Sequence, residues 1–168
     1  DCDVIDFPDS TGSLYRNTID FDTLEFNSAL LSTGGAELYE DGTLGGSSIH
    51  SEVFAFEVLH RCEIAFLVLS ESEIEYRDDA GKKTDMLVEI DLQPVGVSVT
   101  RAFHWPPEEP YTEEEAFELL SDKLLDVQLS AANAAESNPW DEAILHVIAY
   151  DSDYADRIED ASAKTHWR

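Results

Sequence analysis

Between Lys82 and Phe103 the chain reads KKTDMLVEIDLQPVGVSVTRAF, and this stretch restricts the fold more than any other. Thr84, Met86, Val88 and Ile90 alternate with Asp85, Leu87, Glu89 and Asp91; beyond Pro94, Val95, Val97 and Val99 alternate with Gly96, Ser98 and Thr100. Successive side chains of a strand point to opposite sides, so a period of two marks a strand with two distinct faces. The spacing predicts two adjacent strands joined by a tight turn at Pro94. One face is apolar and packs on a core. The other can present Asp85, Ser98 and Thr100 together.

The flanking segments predict what packs on that hairpin. From Ser47 or Ser48, either of which can cap, to about Cys62, the residues Val53, Phe54, Phe56, Val58, Leu59 and Cys62 form an apolar stripe, with Glu52 and Glu57 off its centre. The run IAFLVL over 64–69 either continues this helix or begins the sheet, and 71–76 alternates as a strand with Ile74 and Tyr76 on one face. Asp78–Gly81 is a turn into the Lys82 strand. Pro106, Pro107 and Pro110 exclude helix and ladder pairing over 103–111, and Phe103 and Trp105 are expected to pack down there as a lid. Thr112 and Glu115 then make a capping box for a helix to about Ser130, whose buried stripe is Phe117, Leu120, Leu124 and Val127. Residues 131–140 form a loop and 142–150 an apolar strand. Asp151 or Ser152 caps a last helix to about Ala163. The order is αβββαβα, a single α/β (α+β) domain over 47–168 preceded by a weakly structured arm over 1–46.

Charge narrows the partners. Thirty-seven acids against ten bases give a formal net charge of −27, tolerable where salt screens self-repulsion or where the acids form a solvated surface. Such a balance disfavours nucleic acid as a partner, because phosphate contacts are made mainly by Lys and Arg; a protein partner stays open. No apolar run approaches the roughly 18 residues of a membrane span and no basic stretch precedes an apolar one, so a soluble, intracellular protein is expected. Cys2 and Cys62 have no ligand spacing and read as two separate thiols. A chain that begins at Asp1 reads as a piece of a longer protein.

The element order, with Asp85 followed by the GVSVTRAF strand, resembles the PD-(D/E)XK (restriction-endonuclease-like) nuclease superfamily. The resemblance implies a mixed sheet flanked by helices, in which an acid on one central strand and an acid-x-lysine triplet on the next bind Mg²⁺, often with a glutamate from the first helix. Carried over by position, Asp85 is the strand acid and Glu52 the helix glutamate. Ser98 and Thr100 stand where the triplet has its acid and its lysine. Asp85, Glu52 and Glu89, four residues along the same strand face, are then the candidate metal ligands, and Lys123 in the following helix is the candidate for the missing base beside Asp85 and Glu52. Phosphodiester hydrolysis at such a site needs carboxylates for a hard cation and a group that activates water. The implied function is a divergent nuclease-like domain, hydrolytic or degenerate, the alternative being a non-catalytic protein-interaction domain with an acidic surface.

Other chemistries find no motif. His50, His60, His104, His146 and His166 lack zinc spacing, and no P-loop, GxGxxG or GxSxG occurs. His146, inside an apolar strand, is expected to be a hydrogen-bonded core residue.

Overall fold

The computed structural model describes Cys2 and residues 12–19, 25–42, 49–106 and 109–165. Its centre is a four-stranded mixed sheet in the order β1-β2-β3-β4, made of β1 (Phe66–Ser70), β2 (Met86–Ile90), β3 (Gln93–Ala102) and β4 (Glu142–Ala149). β1 and β3 both pair antiparallel with β2. β4 runs parallel to β3, from Val95 opposite Glu142 to Ala102 opposite Ala149.

The hairpin turns at Asp91 and Leu92 rather than at Pro94. Both residues have positive φ, 50° and 66°, the backbone twist that suits a two-residue link between right-twisted strands. Pro94 instead lies within β3 opposite Glu89, one residue before the pairing with β4 begins, so no ladder bond on that side needs its missing N–H.

Parity along the strands sorts the core into two layers. Met86, Val88, Ile90, Val95 and Val97 pack with Val53, Phe56 and Leu59 of α2 (Ile49–Glu63) and with Leu38. On the other face Ala102 joins Tyr111, Ala116, Leu120, Ile158 and Ala161, from α3 (Glu113–Asn133), α4 (Ser152–Ser162) and the loop before α3. Leu87 there meets Ile74, Ala134 and Trp140. Trp140 lies so close to β3 that a Cβ on Gly96 would stand 2.3 Å from its indole nitrogen. The mixed α+β class expected from the pattern is the class observed.

Several local expectations are corrected. The arm is not extended throughout: a 3-10 turn (Ser28–Leu30) leads into α1 (Thr33–Asp41), capped by Ser32, and Leu38 of α1 is only 1% exposed in the core. Cys2 and Cys62 are not separate thiols but a disulfide with Cα atoms 5.4 Å apart. The chain over 71–76 is not a strand. β1 stops where the Ser70 N–H donates to the Glu73 carboxylate at 2.9 Å, and Tyr76 pairs singly with Ala134. The IAFLVL run supplies β1 instead. Lys82 to Asp85 precede β2 rather than belonging to it. Phe117 leaves the buried stripe, 41% exposed, and α3 runs past Ser130. The capping box of Thr112 and Glu115 and the Asp151 cap are present; the Ser47 or Ser48 cap lies outside the described residues.

Candidate functional site

Asp85 is positioned by the entry into β2. Its N–H donates to the Val97 carbonyl at 3.0 Å, and the Val99 N–H of β3 donates to its Oδ2 at 2.6 Å. The carboxylate therefore bridges two strands. Burial pushes Asp85 up to about 6; the Val99 N–H opposes that, Glu71 adds to it and Lys123 opposes it. Glu52, in the first turn of α2, is pushed up to about 8 by burial first, then by Asp85 and Glu71. Like charges near one another in a poorly solvated place favour the neutral acid. The structure thus brings Glu52, Glu71, Asp85 and Lys123 into electrostatic reach.

Glu71 is the member that sequence reasoning missed. It was legible only as one acid in an alternating run, and its place follows from the turn that ends β1. Glu89, by contrast, does not join the group. It stands opposite Phe66 and Pro94, four residues from Asp85, which is roughly 13 Å along a strand. That corrects its candidacy as a partner of Asp85: sharing a strand face is not sharing a site.

The polar step on β3 is also spent internally. Thr84, not Asp85, meets Ser98, their hydroxyls 3.0 Å apart. The Thr84 N–H donates to the Tyr76 hydroxyl at 2.9 Å, the Tyr76 hydroxyl donates to the Thr84 carbonyl at 3.3 Å, and the Lys83 ammonium lies over the Tyr76 ring at 5.4 Å. Burial pushes the Tyr76 phenol up to about 12. It therefore works as a neutral hydrogen-bonding strut.

The residues present do not fit a magnesium ion. A hard divalent cation takes several oxygens, chiefly carboxylates. Here one Asp85 oxygen is held by a backbone N–H, a serine stands in the place of the triplet's acid, and Glu89 is remote. Among the described residues no group of three or more His, Cys, Asp or Glu side chains is arranged to hold a metal ion.

The histidines divide by partner. The His60 ring is 2.8 Å from the Ala65 carbonyl, and His104 is paired with Glu115, which holds its pKa above the usual histidine value. His146 is not the hydrogen-bonded core residue expected: it is half-buried, and desolvation alone shifts its pKa, down to about 4. The aromatic loop is not a lid. Trp105 is 75% exposed and stacks on Phe103, which meets Tyr150 edge-on. No helix among the described residues is long and apolar enough to cross a membrane.

No family model matches the chain, and no solved structure does. It is similar to the AAC-rich mRNA clone AAC4 protein of Dictyostelium discoideum, 38% identical over an alignment of 135 residues that covers 77% of this chain and 20% of that protein. The chain thus spans about a fifth of the length of that relative, whose name states no activity.

Proposed function

We propose that this chain is a degenerate domain of the PD-(D/E)XK nuclease-like kind, in which the hydrolytic centre has become a structural polar cluster and the domain serves by binding, as one part of a longer protein. What supports the reading is the 2.6 Å hydrogen bond from the Val99 N–H to Asp85. The one acid at the expected strand position is committed to tying β2 to β3, beside a Ser98 hydroxyl already bonded to Thr84. Burial and the neighbouring acids keep Glu52 protonated at neutral pH, which is unlike a carboxylate kept charged for a cation. Lys123 lowers the Asp85 pKa only partway. The formal charge of −27 adds a global repulsion against phosphodiesters.

The test is a melting titration with Mn²⁺ on the parent and on Asp85→Asn, beside a Mg²⁺-dependent cleavage assay on DNA and RNA. Ligand binding to the folded state alone raises stability by mass action. The expected result is the same metal response in both chains and no cleavage. Metal stabilisation with cleavage in the parent, both lost in Asp85→Asn, would overturn the reading and restore a working nuclease.

A further inference from the structure

A cavity of about 550 Å³ lies along β4, and none of Glu52, Glu71, Asp85 and Lys123 is among its lining residues. It arises because β4 is an edge strand, paired with β3 on one side only. The segment 12–19 closes over it, held by Arg16, whose guanidinium bonds Asp156 at 2.6 Å and Glu159 at 3.0 Å on α4. The walls wrap the β4 edge and mix apolar side chains, among them Leu59, Leu124, Ile144 and Ile158, with polar ones such as Asn17 and Thr18. A concave volume of several hundred Å³ is of the size that small-molecule sites have.

His146, midway along β4 and opposite Val99, lines the cavity. Burial holds its ring neutral and no hydrogen bond offsets that burial. A neutral imidazole carries one N–H donor and one lone pair, and the half-buried His146 can offer either to an occupant of the cavity. Among the described residues, four lining acids, Glu63, Glu142, Asp151 and Glu159, face one cation, Arg16, which is already paired. An anionic occupant would therefore be repelled. We propose that this cavity binds an uncharged, mainly apolar small molecule whose hydroxyl group hydrogen-bonds to His146.

The experiment uses the full chain with Nile red, a neutral polarity-sensitive dye, displaced by 1-decanol or by decanoate, and repeats it on His146→Leu with melting as a check on folding. Saturable dye binding, one per chain, is expected. Decanol should displace it at least about tenfold more tightly than decanoate, whose charge meets the acids. In His146→Leu the dye should bind as before while decanol weakens about fivefold, the loss of one hydrogen bond. Absence of saturable binding, equal displacement by decanoate, or unchanged decanol affinity in a folded His146→Leu chain would each overturn the proposal. If that variant does not fold, the first two measurements on the parent still decide it.

Discussion

Two glutamates five residues apart on α2 are pulled in opposite directions. Glu57 is buried, 7% exposed, yet its carboxyl is held below the usual range: burial pushes it up, but the Ser32 hydroxyl and N–H, at 2.6 and 2.7 Å, and the Arg61 guanidinium, at 2.7 Å, more than compensate. Glu52 is also partly buried, but its neighbours are Asp85 and Glu71, and it is pushed up to about 8. Burial alone does not set the charge state of an acid. What decides is whether the elements packed against it offer donors or more acids. The N-cap of α1 turns Glu57 into a clasp between two helices, whereas the entry to β2 leaves Glu52 as a neutral acid at the end of the sheet.

The contrast can be broken by substitution. The largest effect is expected for Glu57→Ala, which strips Ser32 and Arg61 of their acceptor at a buried place and should cost roughly 2–4 kcal/mol in denaturant unfolding; a loss within 0.5 kcal/mol of zero, the range of ordinary surface changes, would show that the clasp is not stabilising. Next comes Glu52→Gln, with the opposite sign. A folded pKa raised above the unfolded value of about 4.5 means stability that is full below pH 4.5 and falls as pH rises toward about 8. The amide should therefore gain roughly 1–2 kcal/mol at pH 9, less than the whole shift implies because water still reaches the group, and nothing at pH 4. A gain independent of pH would mean that ionisation of Glu52 is not its cause. The smallest effect belongs to Arg61→Ala. Its side chain is mostly solvated, so the pair should be worth under about 1 kcal/mol, and its contribution should shrink on acidification below the normal glutamate range, since Glu57 has a lowered pKa and its stabilisation is lost as it protonates. A larger loss would mean that Arg61, and not Ser32, holds the clasp together.

These differences explain which parts of the molecule were legible in advance. The capping box at Thr112 and the cap at Asp151 were readable because both partners lie within one turn of sequence. The hairpin strands were readable because their period persists, but their turn was misplaced: Pro94 is the usual punctuation, while positive φ at Asp91 and Leu92 leaves little trace in composition. α1 was missed because it begins Thr-Gly-Gly and owes its place to packing of Leu38 against α2 and the sheet. In the site, Asp85 and Glu52 were singled out by resemblance and the structure does couple them electrostatically. Glu71 and the Val99 N–H were invisible, since both depend on where distant backbone ends. The burial of Glu57 escaped for the same reason, as its donor comes from Ser32, 25 residues earlier.

The bond between Cys2 and Cys62 joins residues 60 apart, a span that contains the 3-10 turn, α1 and nearly all of α2. Its consequence falls mainly on the unfolded chain, which becomes a closed ring over its first third and loses conformations that an open chain would explore. By the chain-entropy account a ring of this size is worth about 4 kcal/mol. Folding equilibrium is thereby linked to the thiol chemistry of the surroundings. Melting in the presence of a strong reductant should lower the midpoint by many degrees; an unchanged midpoint, with both thiols shown to be free, would mean that the ring adds nothing.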